Sequence, residues 1–180
     1  LHEKADFPPG ITPEEIGHLS LAVNLSDLAG SGAEPRYFIY TITIREGIDD
    51  EFYGKILTGM KKLADEYDVA IVGGDTDFGD ELGIAGFAVG VARRFVTQEG
   101  ALPGEKICLT GELGKAQLSL EQLFSGAQRE VIAYPESLFT PEPRVREGME
   151  LAEHASAMTD ISDSLAISLN LIARKSKVGM

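Results

Sequence analysis

The sequence predicts an α/β (α+β) protein, because segments with helical and strand periodicity alternate along the chain. The first segment is a long apolar helix at 13–31, and a strand at 36–45 follows it. An amphipathic helix at about 50–67 comes next, and two strands, at 69–72 and 82–92, follow that helix. This order is typical of a sheet with helices packed on it.

The first helix has clear signals at both ends. Thr12 is a suitable N-cap, Pro13 suits the first helical position, and two glutamates follow in the first turn. Gly30, Gly32 and Pro35 should end the helix. The residues between these ends are apolar on nearly every side, which predicts a buried helix.

One polar line runs along this helix, at spacings of four, three and four residues. Its members are Ser20, Asn24, Asp27 and Ser31. A buried carboxylate at Asp27 would have to be paired, bind a metal or take up a proton, because an isolated buried charge is very costly. A purely structural role, in which Asp27 hydrogen-bonds to a neighbouring backbone, explains the spacing equally well.

The two strands that follow differ in character. The strand at 36–45 is apolar along one face, and Tyr37 and Ile39 make part of its other face apolar too, so both faces should be partly covered. The strand at 69–72 is short and apolar, which predicts a buried strand that leads directly into a loop at 73–77.

A polar segment rich in Gly and Pro, at 98–104, is the best candidate for a domain junction. Beyond it the sequence predicts strands at 106–110 and 157–159, and Cys108 should be a buried structural cysteine in the first of them. Helices are predicted at about 114–125, at about 143–155, and from 160–163 onward.

The charge balance limits the possible partners. The chain carries 16 basic and 29 acidic residues, a net charge of −13. Nucleic-acid binding depends on basic patches, so this composition argues against it. It permits a phosphate ligand when divalent cations lie between carboxylates and phosphates.

Compartment signals are few. No apolar run approaches the roughly 20 residues of a membrane span, and no signal-peptide pattern precedes the first helix. A single cysteine rules out an internal disulfide and a cysteine zinc cluster, so a cytoplasmic location is expected. The chain starts at Leu1 without an initiator Met, and we expect it to be a fragment.

Acidic residues form three groups that could share chemistry. They are Asp27, the pair Asp75 and Asp77, and the pair Asp160 and Asp163. Each has an ordinary explanation. Asp27 could simply hydrogen-bond to a neighbouring backbone, Asp75 could be a turn residue, and Asp163 could be an N-cap. Together they offer oxygen ligands only, which suits Mg²⁺. Asp75 and Asp160 are also expected just after strands, where open α/β sheets place ligands.

Two glycine-rich segments do not match the nucleotide-binding loops that they resemble. The segment at 110–116 lacks the first glycine of a phosphate loop, and Ala116 stands where Ser or Thr must bind Mg²⁺. The segment at 30–35 lacks the third glycine of a dinucleotide fingerprint. A nucleotide would therefore have to bind outside these loops.

Four stretches, in order and with their flanks, give the chain a family resemblance. They are LAVNLSDLAGSGAEP at 21–35, GGDT at 73–76, PEPR at 141–144 and DISD at 160–163. In these stretches the chain resembles the thiamine-monophosphate kinase family of the aminoimidazole-ribonucleotide-synthetase-like superfamily. The resemblance covers essentially the whole chain.

The resemblance implies transfer of the γ-phosphoryl of ATP to thiamine phosphate, giving thiamine diphosphate, by Mg²⁺-assisted in-line transfer. It implies an N-terminal mixed-sheet domain at 1–98 that binds ATP and Mg²⁺ and dimerises through its sheet. Residues 99–180 would be the first part of a second α/β domain, and both domains would be incomplete. The expected enzyme is a homodimer that uses several Mg²⁺ ions.

The resemblance also implies roles for individual residues. The Mg²⁺ ligands would be Asp27, Asp75, Asp160 and Asp163. Three of these would be catalytic: Asp27, Asp75 and Asp163. The residues facing ATP would be Gly74, Asp75 and Ser162.

At three positions the chain departs from the family pattern. Asp6 stands where many members have a substrate-side His, and it could approach the cationic thiazolium of thiamine phosphate. Gln98 occupies the position of an ATP-contacting Arg in some members. Ser164 replaces the glycine that usually follows Asp163.

Two other functions remain open at this point. One is ATP-dependent activation of a carboxamide, formyl amide or selenide by another enzyme of the superfamily, although the chain has no cysteine near its start. The other is an acidic, dimeric binding module without catalysis, in which the three acidic groups are structural.

Overall fold

The computed structural model describes residues 1–179. The helices are α1 (Glu3–Asp6), α2 (Pro13–Ala29), α3 (Asp50–Glu66), α4 (Lys115–Phe124), α5 (Pro135–Phe139), α6 (Val145–Ala152) and α7 (Leu165–Ser176), with a 3₁₀ turn at Arg129–Val131. The strands are β1 (Glu34–Ile44), β2 (Ala70–Phe78) and β3 (Gly83–Val91). The predicted α/β fold class is confirmed, and the five elements predicted between residues 13 and 92 occur in the expected order as α2, β1, α3, β2 and β3, although α1 precedes them.

The described chain forms two compact units, each assembled from three segments. The first unit contains residues 1–22, 37–88 and 111–142. The second unit contains residues 23–36, 89–110 and those from 143 onward. The domain boundary expected at residues 98 and 99 stays a prediction.

The three strands form one sheet in the order β2–β1–β3. β1 and β2 run parallel, so they need a crossover, which α3 provides. A register shift lies between Phe38 and Ile39. A hydrophobic core cluster of the first unit contains Ile16, Ile42, Ile56, Leu82 and Ile84, all buried.

The start of α2 is fixed by a capping box. The Glu15 N–H donates to Thr12 Oγ1 at 3.4 Å, and the Thr12 N–H donates to Glu15 Oε2 at 2.8 Å. Arg129 pairs with the same carboxylate and also donates to the Gly10 carbonyl. Thr12 therefore acts as the N-cap that the sequence predicts.

α2 and α3 touch through two glycines in the first unit. A Cβ at Gly17 would lie 1.9 Å from the carbonyl oxygen of Ile56. A Cβ at Gly59 would lie 1.8 Å from the carbonyl oxygen of Glu14. No side chain fits at either position, so the two helix backbones meet directly.

β2 is longer than the sequence predicts. It runs to Phe78 through the expected loop at 73–77, and most of its residues are exposed rather than buried. The prediction of a short buried strand followed by a loop is wrong. The reason is that pairing with β1 continues past the two glycines, with Tyr40 opposite Gly74 and Thr41 opposite Asp75.

The predicted strand at 106–110 is wrong too. Within residues 1–179 this segment pairs with no strand, and Ile107 and Leu109 are exposed. Cys108 is exposed rather than buried. Alternating apolar residues suggested a strand, but a strand also needs a hydrogen-bonded neighbour.

Two predictions near the final helix also need correction. Residues 157–159 are not a strand, although the Met158 N–H donates to the Thr97 carbonyl at 2.9 Å. α7 begins at Leu165 rather than at 160–163, because the Ser164 side chain accepts the Ile167 N–H and acts as N-cap.

Among residues 1–179, no helix is long and apolar enough to cross a membrane.

Candidate functional site

The second unit contains an open cavity of about 360 Å³ at the end of α2. Its lining comes from three segments that are distant in sequence: the end of α2, the segment that follows β3 and the segment that precedes α7. The lining residues are Asp27, Gly30, Ser31, Phe95, Val96, Thr97, Gln98, Met158, Thr159 and Asp160. The cavity has carboxylate, hydroxyl, amide and aromatic groups, so it offers both polar and apolar contacts to a ligand.

Asp27 and Asp160 are the acidic residues of this cavity. Asp27 is exposed, so the prediction of a buried carboxylate is wrong. Its pKa is nevertheless raised, first because cavity walls remove part of its water and second because the Asp160 charge is nearby. A cation between two such carboxylates would relieve both effects.

The main chain of Asp160 is held from two sides. A Cβ at Gly30 would lie 2.5 Å from the Asp160 nitrogen, so glycine is required where α2 ends. From α7, the Ser168 hydroxyl donates to the Asp160 carbonyl at 3.0 Å. Ser168 is buried, which protects this hydrogen bond from water. The position of Asp160 beside α2 is therefore well defined.

Hydrogen bonds also fix the cavity wall that contains Gln98 to neighbouring segments of the second unit. Gln98 Nε2 donates to Thr159 Oγ1 at 3.3 Å, and the Val96 N–H donates to the Ser31 carbonyl at 3.2 Å. On α7, Ser176 Oγ accepts the Gly100 N–H at 3.1 Å. The Gln98 side chain thus lies in the cavity, where it can offer an amide to a ligand.

Sequence reasoning named Asp27, Asp160 and Gln98 as site candidates, and it placed Gly30 and Ser31 at the end of the same helix, but it missed the rest of this lining. Phe95, Thr97 and Met158 carry no motif, and only tertiary contacts bring them to the cavity. No sequence signal could have identified them.

Asp75 lies in the first unit, within β2 rather than after it. It is exposed, and its Oδ1 accepts the Thr76 N–H at 2.9 Å. Asp77 makes the equivalent bond, since its Oδ1 accepts the Phe78 N–H at 2.8 Å. In the register, Asp75 is opposite Thr41 and Asp77 is opposite Thr43, so both acids lie on the same sheet face.

The other predicted residues lie outside the cavity lining. Ser162 and Asp163 are exposed in the turn before α7. Asp6 is exposed at the end of α1, where Oδ2 accepts the His2 N–H at 2.6 Å. Gly74 lies in β2 against the Tyr40 ring. Their proposed roles stay predictions.

Residues 1–179 contain no group of three or more His, Cys, Asp or Glu side chains placed to hold a metal ion. The cavity itself brings two predicted ligands together, Asp27 and Asp160. Two carboxylates of like charge with oxygen donors only fit a hard cation such as Mg²⁺. The donor set thus fits the predicted ion but is incomplete.

Comparison with known proteins gives the family of the chain. The family model "AIR synthase related protein, N-terminal domain" matches residues 1–92. A thiamine-monophosphate kinase of Archaeoglobus fulgidus is 51% identical over 99% of this chain and 59% of that protein. A second, from Methanospirillum hungatei JF-1, is 44% identical over all of this chain and 60% of that protein. The chain therefore spans about three fifths of the length of these curated relatives.

Solved structures show the same relationship. AaThiL complexed with AMPPCP and TMP has a TM-score of 0.92 at 27% identity, over 98% of this chain and 58% of that one. Hydrogenase maturation protein HypE in complex with ATP has a TM-score of 0.76 at 26% identity, over 96% of this chain and 52% of that one. The chain belongs to the AIR synthase related protein family, and within it is similar to thiamine-monophosphate kinases.

Proposed function

We propose that the protein carrying this chain is a thiamine-monophosphate kinase, which transfers the γ-phosphoryl of ATP to thiamine phosphate and gives thiamine diphosphate. The observation that carries the proposal is the similarity to thiamine-monophosphate kinases over nearly the whole chain. The related AaThiL structure contains AMPPCP, an analogue of ATP, together with TMP. A relative of the same fold thus binds an ATP analogue together with TMP.

In this proposal the Mg²⁺ ligands are Asp27, Asp75, Asp160 and Asp163. Bound Mg²⁺ would neutralise phosphate oxygens and help to align the attacking and leaving groups. The raised pKa of Asp27 supports a cation at the cavity, because a cation would favour the ionised form of this carboxyl. Asp27, Asp75 and Asp163 are the residues on which turnover should depend.

ATP would contact Gly74, Asp75 and Ser162. Gln98 supports a nucleotide beside the cavity, since its amide lies among the lining residues and can donate or accept. An amide cannot replace the charge of an arginine, so this contact should be weaker than in relatives that carry Arg. Asp6 would face the thiazolium of thiamine phosphate.

We also propose that the protein is a homodimer that pairs through its sheet. On the face of the sheet that carries Asp75 and Asp77, several apolar side chains of the first unit are exposed. Tyr37 is 52% exposed and Ile39 is 46% exposed. Such a set of apolar side chains is typical of an interaction surface. Sedimentation equilibrium of the full-length protein should give twice the monomer mass; a monomer would contradict this proposal.

In this proposal residues 1–98 belong to the N-terminal domain and residues 99–180 to the second domain. The enzyme would be cytoplasmic, where ATP and Mg²⁺ are abundant.

The similarity to HypE, a protein solved with ATP, is the observation that favours the alternative of another ATP-dependent enzyme of the superfamily. The lower TM-score of that structure makes the kinase the better-supported proposal.

The test is an incubation of the full-length protein with ATP, Mg²⁺ and thiamine phosphate, followed by chromatography of the products. We expect thiamine diphosphate and ADP in equal amounts. A matched reaction with EDTA should give none. If no thiamine diphosphate forms while a purine precursor or selenide is consumed, the kinase proposal is wrong.

A further inference from the structure

A hydrogen bond joins α3 to the helix-facing side of β2 beside Asp75. Tyr53 Oη and Thr76 Oγ1 lie 3.0 Å apart. Tyr53 is half-buried and packs against the core of the first unit. The aromatic ring is therefore held in place by packing, and its hydroxyl presents a fixed partner to Thr76.

Thr76 links this hydroxyl to Asp75. Its side chain contacts Tyr53, and its backbone N–H donates to Asp75 Oδ1 at 2.9 Å. Neighbouring residues of a strand point to opposite faces, so Thr76 faces the helices while Asp75 faces away from them. A displacement of Thr76 would consequently move the N–H that orients the Asp75 carboxylate.

The residue before Asp75 is held from the same side. A Cβ at Gly74 would lie 2.7 Å from Tyr40 Cζ, so the Tyr40 ring packs directly on the backbone of Gly74. Tyr40 also packs against the core of the first unit. Asp75 thus lies between two residues that contact tyrosine side chains, whereas its own carboxylate is exposed.

We propose that Tyr53 is a positioning residue for Asp75: its hydroxyl fixes Thr76, and Thr76 orients the carboxylate toward its metal ion. The inference rests on the proposed function, which assigns Asp75 to Mg²⁺. Groups that hold a metal ligand in place affect metal affinity although they do not touch the ion. Fixing an exposed carboxylate on a metal ion costs side-chain entropy, and a contact that orients the carboxylate beforehand reduces that cost.

The experiment measures metal binding without turnover, in the full-length protein. Mn²⁺ replaces Mg²⁺ and is titrated in the presence of AMPPCP, with free Mn²⁺ followed by electron paramagnetic resonance. We expect Tyr53→Phe to weaken Mn²⁺ binding about tenfold. Thr76→Val should have a similar effect, and Thr76→Ser, which keeps the hydroxyl, should bind Mn²⁺ nearly as well as the parent protein.

Thr58→Ala is the matched control on the same helix. The Thr58 hydroxyl donates to the Gly54 carbonyl within α3 at 2.9 Å, and Thr58 is exposed. Its removal should change thermal stability slightly and Mn²⁺ affinity not at all. Because Tyr53 acts through Thr76, the Tyr53→Phe/Thr76→Val double variant should bind Mn²⁺ no more weakly than Thr76→Val alone.

The inference is overturned if Tyr53→Phe lowers the melting temperature but keeps the parent Mn²⁺ affinity, or if the two substitutions weaken binding additively. Asp75→Asn separates this failure from that of the proposed function. If Asp75→Asn weakens Mn²⁺ binding and Tyr53→Phe does not, only the inference fails. If Asp75→Asn binds Mn²⁺ as tightly as the parent, the assignment of Asp75 to the metal fails and the inference fails with it.

Discussion

The cavity around Asp27 and the strand around Asp75 place their carboxylates in different environments. Asp27 is partly dehydrated by the cavity and faces the like charge of Asp160, so its pKa is raised. Asp75 is exposed, and its carboxylate already accepts an N–H at 2.9 Å. The cavity therefore holds two carboxylates whose like charges disfavour each other, whereas the strand holds one whose orientation is set by a hydrogen bond.

The two carboxylates should therefore affect the stability of the metal-free protein differently. Because the folded-state pKa of Asp27 is raised, its ionised form disfavours folding at neutral pH. This penalty shrinks as pH falls through the raised value, and it is absent below the unfolded value of about 3.9. The Asp75 carboxylate accepts the Thr76 N–H, and replacing its charged oxygen by the neutral amide oxygen of Asn should weaken this hydrogen bond and so weaken folding slightly. The same substitution, Asp to Asn, should thus have opposite effects on stability at the two positions.

The largest expected effect comes from removing either carboxylate. Under the proposed function, Asp27→Asn and Asp75→Asn should each lower kcat by on the order of 10² or more, because each would remove a charge that holds the proposed Mg²⁺. Steady-state assays of thiamine diphosphate formation measure this. In calorimetry without metal, Asp27→Asn should melt at a higher temperature than Asp75→Asn. The reverse order of melting temperatures would contradict the contrast between the two regions.

A second prediction concerns the close approach of α2 to Asp160. Gly30→Ala should destabilise the protein by about 1–3 kcal/mol, because the new Cβ would lie 2.5 Å from the Asp160 nitrogen. It should also lower turnover by displacing Asp160 from Asp27.

Gly54→Ala is the matched control, since a Cβ at this position in α3 meets no atom within 4 Å. It should stabilise the protein by about 0.5–1 kcal/mol, because alanine loses less backbone entropy in a helix. Denaturant unfolding compares the two variants. Equal stabilities would show that the contact between α2 and Asp160 tolerates a methyl group.

A smaller effect is expected at the capping box of α2. Burial by itself would raise the pKa of Glu15, but hydrogen bonds from Arg129 and Thr12 outweigh it, and the pKa is lowered. The folded state therefore binds a proton at Glu15 less readily than the unfolded state does. Its contribution to stability is fully present above the unfolded value of about 4.3 and is lost as pH falls through the lowered folded value.

Glu15→Gln tests this interpretation. At pH 7 the substitution should lower the free energy of unfolding by about 1–2 kcal/mol, since a charged, partly buried hydrogen bond is lost. The difference from the parent protein should shrink as pH falls below about 4. Urea titrations from pH 7 to pH 3 measure it. A difference that stays constant with pH would show that the Glu15 charge is not the cause.

The smallest effect is expected at Cys108. Because this cysteine is exposed, Cys108→Ser should change the free energy of unfolding by less than about 0.5 kcal/mol. Thermal unfolding under reducing conditions measures this change. A loss of more than about 2 kcal/mol would support the buried cysteine that the sequence predicts.

Sequence periodicity was a good guide to the helices and to β1 and β3. Thr12 and Pro13 located the start of α2 because capping depends on local contacts. The extension of β2 was not predictable in the same way, because a Gly-Gly pair usually indicates a turn and only pairing with β1 keeps it extended. Likewise, Ile107 and Leu109 have a strand-like spacing but pair with no strand in the described residues.

Some residues of the candidate site were predictable from the sequence and others were not. Asp27 and Asp160 were identifiable because unusual acids and a family motif mark them. Phe95 and Met158 reach the cavity only through the folding of distant segments, so no local pattern reveals them. The hydrogen bond from Ser168 to the Asp160 carbonyl was not predictable either, because the two residues are eight positions apart and only the fold brings them together.

The contact between α2 and α3 restricts how this sequence can change. At Gly17 and Gly59 the obstacle to any larger residue is the main chain of the other helix, at Ile56 and Glu14. A second substitution cannot relieve a clash with a main chain, because every residue type carries the same backbone atoms. The two positions should therefore be closed to compensated double substitution, and only a displacement of a whole helix would open them. Neither a single substitution at Gly17 or Gly59 nor a compensating change on the other helix should therefore be tolerated.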